Sequence, residues 1–304
     1  MNRKTWISLL VFILAMSTLI ISCSTIQKGI DQISKVKISE EDKKTLVETG
    51  KTLRSTFADI SEEEEYYIGR AVAALILTQY KAYDNQVLND YINQVGNAVA
   101  LYSERPEVYA GYHFMVLDSE EVNALAAPSG FIFITKGLLK RCRNEEMLSS
   151  ILAHEVGHVA AKHGLQSIKK SRLIEAFQLI GTKAVQKYGS EELAKLTSVF
   201  ENVLGDIVEK LIERGYDRKF EYEADELSVE TAVRTGYNPN GLMNFLQTMV
   251  EDSEGQSSKG WFKTHPSAKD RLNRVNKNIT SLKSIPQEED IRTQRFQRAM
   301  KALK

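Results

Sequence analysis

Two histidines one helical turn apart with a glutamate between them, His154-Glu155-Val156-Gly157-His158, carry the most specific chemistry in this 304-residue sequence. A helix turns about 100° per residue, so His154 and His158 project from one face and can direct both imidazoles at a single ion. Glu155, beside them, stands close enough to address a water on that ion. His-Glu-x-x-His on a helix is the zinc-binding pattern of metalloproteases, and zinc needs one more protein ligand plus an open position for water. The rest of the chain must supply that ligand.

Two places compete for the role, and a third can approach the ion. In Phe220-Glu221-Tyr222-Glu223-Ala224-Asp225, Glu221 and Asp225 share a helical face one turn apart. Glu221 can ligate zinc while Asp225 accepts a hydrogen bond from the far ring nitrogen of a ligating histidine, fixing its tautomer and orientation. Periodicity alone does not choose Glu221 over Glu223, and the same residues suit a solvated acidic face. His163 lies nine residues after His154, about half a turn away on a continuous helix, and is expected to face elsewhere. Proteases with a third zinc histidine place it ten residues after the first, where this chain has Gly164. His265, in Lys263-Thr264-His265-Pro266 after a Ser/Gly stretch from Asp252 to Gly260, can approach the metal from a loop or simply start a helix.

The elements that position these residues are readable from capping and period. Ser61 followed by Glu64 is a capping box that opens a helix with Ile68, Val72, Leu75 and Ile76 on one face. A second helix fits Asn85 to Tyr102, with Leu88, Tyr91, Ile92, Val95 and Val99 at helical spacing. The period then changes. His113 to Leu117, Asn123 to Gly130 and Phe131 to Thr135 predict short strands separated by turn residues, and Pro128 favours an edge position for the second. A short helix fits Lys136 to Arg143, and Asn144 caps the long metal-binding helix, whose first turn holds Glu145 and Glu146. The expected fold is α+β and predominantly helical, with a small mixed sheet, exposed along one edge, just ahead of an active-site helix. The insert from Leu165 to Arg214 predicts two amphipathic helices. In the second, Leu193, Leu196, Phe200, Val203, Ile207 and Leu211 form a stripe that suits core packing or a partner groove.

Bulk properties narrow the function classes. With 42% apolar and 26% charged residues the composition is that of a globular protein, and 40 basic residues balance 40 acidic ones, so no basic excess invites nucleic acid. Two cysteines, Cys23 and Cys142, are too few for a disulfide framework, so the metal site uses His and carboxylate. The chain opens with Asn2-Arg3-Lys4, an apolar run from Trp6 to Ile21 and Ser22-Cys23-Ser24, the pattern of a secretory signal peptide. An uncleaved membrane anchor is the alternative, although sixteen strongly apolar residues fall short of the roughly twenty needed to span. Ile20-Ile21-Ser22-Cys23 resembles a bacterial lipobox, which implies cleavage before Cys23, lipid on that thiol, and, with Ser24 next, a place at the outer membrane. Residues 23–60 then form a tether and N-terminal segment, 61–280 the catalytic domain, and 281–304 a terminal helical tail, docked or solvated, with Phe296, Met300 and Leu303 on one face.

His154-Glu155-x-x-His158 followed, after a helical insert, by Glu221-x-x-x-Asp225 resembles the zinc metallopeptidase family that contains the HtpX heat-shock protease and the CAAX prenyl protease. Within it the likeness is to soluble periplasmic members of the BepA and LoiP type. It extends to Asn123-Ala124-Leu125-Ala126-Ala127-Pro128, similar to the family's substrate-side strand, and to Thr264-His265-Pro266-Ser267 with Arg271-Leu272 beyond it. Ser129 stands where family members often have glycine. The resemblance implies a zincin-like (gluzincin) fold, one Zn2+ per chain on His154, His158 and Glu221, and Asp225 as the partner behind a ligand. It implies that Glu155 is the general base, that His265 either stabilises the oxyanion or occupies zinc's open position in a resting form, and that substrate pairs with Asn123, Ala124, Leu125 and Ala126. The expected activity is an endopeptidase of the bacterial periplasm acting on unfolded or misassembled envelope proteins, with the outer-membrane assembly machinery as a possible partner. The alternative expectation is an assembly factor or chaperone-like client binder with latent proteolysis gated by His265.

Overall fold

The computed structural model of the chain describes residues 60–167, 204–205, 207–253, 264–265 and 268–303. The expected signal peptide, Cys23, the tether up to residue 59 and the insert's Leu193, Leu196, Phe200 and Val203 lie outside them. Apart from residues 204–205, the described residues fall in one compact unit, 60–167 together with 206–304.

Helix α1, Glu62–Gln79, starts where its capping box predicts: Ser61 accepts from the Glu64 amide, and the Glu64 carboxylate accepts from the Ser61 amide. Its buried face is Ile68, Val72 and Ile76. Helix α2, Gln86–Leu101, is capped by Asn85 and buries Leu88, Ile92, Val95 and Val99. Its asparagines do more than face solvent. Asn93 brackets the Phe114 main chain, accepting from its N–H (3.0 Å) and donating to its C=O (2.6 Å), and Asn89 accepts from the Val116 N–H. These bonds seal the outer edge of strand β1, His113–Leu117, with side-chain amides in place of another strand.

The sheet has three strands in the order β1-β3-β2, with β3, Phe131–Thr135, parallel to β1 and antiparallel to β2, Ala124–Ala127. Strand β2 lies at the edge, and Pro128 opens the 3-10 turn Pro128–Gly130 right after it. The expectation of an exposed edge is corrected here, since all four residues of β2 are buried. The cause is coverage by segments far along the chain, around residues 214–216 and 264–265.

Helix α3, Lys136–Leu139, turns the chain toward helix α4, Glu145–Ala160, whose Asn144 side chain accepts from the Met147 amide. Every residue of α4 from Glu145 to Val159 is buried. A helix enclosed all round needs neighbours on every side. They are α2, α6 (Arg218–Thr235), α7 (Asn240–Ser253) and α9 (Asp290–Met300), with α8 (Ala268–Thr280) packed across α6 and α7. Gly157 sets the α4–α6 distance: a Cβ there would meet the Ala224 carbonyl and the Leu227 Cβ at 3.3 Å, so the bare glycine lets α6 approach the turn that carries His154 and His158. Helix α4 ends at Ala160, and after Lys162, whose φ of 56° is left-handed, a short helix α5, His163–Gln166, starts in a new direction. The tail helix α9 is docked, with Phe296 buried and Arg292 and Arg295 paired to Glu146 and Glu145. No described helix is long and apolar enough to cross a membrane.

Candidate metal centre

Helices α4 and α6 bring His154, His158 and Glu221 together, all buried. His154 Nε2 and His158 Nε2 are 3.1 Å apart, His154 Nε2 lies 3.6 Å from Glu221 Oε2, and His158 Nε2 lies 3.4 Å from Glu221 Oε1. A tetrahedral zinc with bonds near 2.0–2.1 Å separates its ligands by about 3.3 Å, and each of the three pairs of residues brings donor atoms close to that spacing. The donor set, two imidazoles and a carboxylate, is also what catalytic zinc uses. The residues therefore fit zinc. Glu223, the competitor that periodicity left open, lies off this face with a half-exposed side chain.

His265 completes the cluster. Its Nδ1 lies 3.0 Å from Glu221 Oε2, its Nε2 3.8 Å from Glu155 Oε1, and all four residues offer donor atoms within 4.8 Å of one another. Glu155 is buried, and neither of its carboxylate oxygens has a hydrogen-bond partner among the described residues. Burial pushes its carboxyl above the usual range, which suits a group that takes up and returns a proton.

Behind the cluster stand the groups that orient its side chains. With Nε2 turned to the cluster, His154 carries its proton on Nδ1 and donates to Asp225 Oδ1 at 3.0 Å. Arg271, from α8 and fully buried, holds both Asp225 oxygens at 2.7 and 2.8 Å and reaches Glu221 Oε2 at 2.8 Å. Burial alone would raise Glu221, but the neighbouring His265 and Arg271 hold its carboxyl well below the usual range, and Arg271 lowers Asp225 likewise. The two imidazoles differ. Burial and Arg271 oppose charge on His154, yet its hydrogen bonds to Asp225 and Glu221 lift it to about 9 in the metal-free protein. Burial dominates at His158, which falls well below the usual histidine range. The difference follows from what lies behind each ring, a carboxylate in one case and an imidazole in the other.

That imidazole is His163, which the helical spacing placed elsewhere. It is indeed not among the cluster's donors, but it does not face away: its Nδ1 lies 2.8 Å from His158 Nδ1. The spacing argument assumed an unbroken helix, and the left-handed turn at Lys162 folds His163 back onto His158.

The strand residues divide by backbone direction. The bond from Thr135 N to Asn123 O puts Asn123, Leu125 and Ala127 in pairing with β3 and turns the amides and carbonyls of Ala124 and Ala126 outward. Those outward groups are met by side chains. His265 Nε2 is 3.4 Å from the Ala124 carbonyl, the Tyr216 hydroxyl donates to the Ala126 carbonyl at 3.4 Å, and the Ala124 amide donates to Asn123 Oδ1. Asn123 Oδ1 also accepts from Thr264 and so fixes the segment that carries His265. Tyr216, absent from the sequence reading, stacks on His158 with ring centroids 4.3 Å apart. Its one sequence signal is Gly215 before it: with φ of 73° and a would-be Cβ 2.0 Å from the Thr264 carbonyl, no other residue fits. Glu65 is a second omission. Buried on α1, it accepts from the Ser129 amide at 3.2 Å and pairs with Arg105 at 2.9 Å, steadying the turn after β2.

Comparison with known proteins agrees with this arrangement. Residues 86–279, more than half of the chain, match the model of peptidase family M48. The beta-barrel assembly-enhancing protease of Yersinia pestis is 26% identical over 247 residues, covering 76% of this chain and 47% of that protein. Metalloprotease LoiP of Escherichia coli is 28% identical over 163 residues, 54% of this chain and 61% of its own length. Mitochondrial metalloendopeptidase OMA1 of Schizosaccharomyces pombe is 24% identical over 229 residues, 73% and 63% of the two chains. The chain thus spans about half the length of the first of these, 47%, and the match includes α4, α6 and α8. Sequence match and side-chain placement converge: the chain belongs to peptidase family M48.

Proposed function

We propose that the chain is a zinc-dependent endopeptidase with a zincin-like (gluzincin) centre, holding one Zn2+ on His154, His158 and Glu221. The observation that carries this reading is the pair of imidazole nitrogens 3.1 Å apart, each 3.4 to 3.6 Å from one oxygen of the Glu221 carboxylate, beside a buried glutamate whose oxygens have no hydrogen-bond partner among the described residues. Zinc held there supplies a Lewis acid and lowers the pKa of water toward neutrality. Glu155 takes the proton from the attacking water and returns it to the leaving amine. Asp225 and Arg271 hold His154 and Glu221 in place, while the outward amides and carbonyls of Ala124 and Ala126 offer an extended peptide its main-chain pairing. A site that reads main chain favours unfolded segments over any one sequence. Relatives named as a beta-barrel assembly-enhancing protease and as metalloproteases support a place in the bacterial envelope, with misassembled outer-membrane proteins as substrates. On this reading the body lies in the periplasm, anchored by lipid on Cys23 and near the outer-membrane assembly machinery.

Glu155→Gln is expected to take up one zinc per chain and to cleave unfolded casein at least about 100-fold more slowly than wild type. Wild-type turnover in that variant removes Glu155 from the mechanism. A second reading, a client-binding assembly factor whose proteolysis is latent, is favoured by His265, which stands among the donors and against the Ala124 carbonyl. Four protein ligands close a zinc site, and three leave it open. Faster casein cleavage by His265→Ala supports latency, and slower cleavage supports a direct part for His265 in stabilising the oxyanion.

A further inference from the structure

We infer that His163 is a positioning residue for the metal centre: as the neutral tautomer protonated on Nε2, it accepts the Nδ1 proton of His158 and so presents the His158 Nε2 lone pair to the ion. The inference rests on the metal reading above.

A histidine that ligates through Nε2 must keep its proton on Nδ1, and that N–H needs an acceptor in a buried site. For His154 the acceptor is Asp225. For His158 the acceptor at hydrogen-bond distance behind the ring, among the described residues, is His163 Nδ1, at 2.8 Å. Only one proton fits between the two nitrogens. If it belongs to His158, His163 offers its lone pair there and carries its own proton on Nε2. That nitrogen lies 3.2 Å from Glu223 Oε2, a carboxylate that can only accept. Glu223 therefore selects the tautomer of His163, which selects the tautomer of His158. The opposite arrangement, with His163 protonated on Nδ1, would put a proton on His158 Nε2, in the ion's place.

The local structure is built to hold this contact. Lys162 adopts a left-handed conformation that a residue with a side chain rarely enters, and this turn carries His163 from the far side of the helix to His158. The His163 ring stacks on Phe220 at 4.3 Å and is fully buried, and Tyr216 stacks on the face of His158. Both rings are thus fixed in plane before the ion arrives.

Two variants of His163 separate the acceptor from the packing. His163→Asn places a carbonyl oxygen near the position of Nδ1, and His163→Phe keeps a ring against Phe220 but removes the acceptor. Zinc affinity, read by competition with a chromophoric chelator, is expected to fall about 10- to 100-fold for the Phe variant and to stay within about threefold for the Asn variant. Ring 15N spectra of the zinc-loaded wild type are expected to show His163 protonated on Nε2 and His158 on Nδ1. In Glu223→Ala, a change at a side chain 56% exposed that leaves the fold intact, the metal-free protein is expected to show some His163 protonated on Nδ1. Wild-type zinc affinity in the Phe variant, or His163 protonated on Nδ1 in the loaded wild type, overturns the inference. If the Phe variant does not fold, the wild-type and Glu223→Ala spectra decide. A wild type that folds but takes up no zinc overturns the metal reading itself, a result distinct from tight zinc binding that ignores residue 163.

Discussion

In the metal-free protein, hydrogen bonds to Asp225 and Glu221 lift His154 to about 9, against the opposing effects of burial and Arg271. An ion needs a bare nitrogen on that ring. Below about pH 9, zinc uptake must therefore displace a proton, and affinity is expected to climb up to about tenfold per pH unit between pH 6 and 8. Calorimetry in buffers of different ionisation heat checks this: near pH 7 about one proton should leave per zinc bound, and a flat affinity with no release shows His154 already neutral. His158, held low by burial, adds nothing to that count. The histidine pair and the Glu221/Asp225 face are local patterns, legible because both lie within one helical turn. His163 was misplaced because nothing in Ala161-Lys162-His163 marks a break, neither glycine nor proline, and a lysine adopts the left-handed turn.

Among the elements, the turn after β2 holds a serine in the left-handed region. Ser129 sits at φ 58°, its amide donates to the buried Glu65, and its hydroxyl has no partner among the described residues. Glycine enters this conformation freely and leaves no hydroxyl unpaired. Ser129→Gly is therefore expected to stabilise the zinc-loaded protein by about 1 kcal/mol in urea unfolding, and Ser129→Val to destabilise it by more. A Gly variant less stable than wild type would show that the hydroxyl has a use the contacts do not reveal. Capping residues made the bounds of α1, α2 and α4 readable, since Ser61, Asn85 and Asn144 each accept from an amide three residues on. The buried state of β2 was not readable. Ala124 to Ala127 looks the same whether solvent or another segment lies outside it, and the covering residues come from about 90 and 141 positions away.

Across the whole molecule, the tail helix α9 closes over the start of the metal helix. Glu145 is fully buried, receives hydrogen bonds from the Tyr91 and Tyr237 hydroxyls and pairs with Arg295, while Arg292 pairs with Glu146. Arg295→Ala leaves that carboxylate with two neutral donors, and unfolding stability is expected to drop by about 1–2 kcal/mol, a modest figure because the arginine is 40% exposed. An unchanged melting temperature shows the tyrosines suffice. Periodicity indicated the apolar face of this helix, but its partners lie about 150 residues away, beyond the reach of any local pattern. The two side chains over the outward carbonyls of β2 are joined: the Tyr216 amide donates to the Thr264 carbonyl, the residue before His265. On the proposed reading, a peptide that pairs there must first displace both, which would make its arrival gated. In stopped-flow mixing the observed rate should level off as peptide concentration rises, at the frequency with which the pair swings clear.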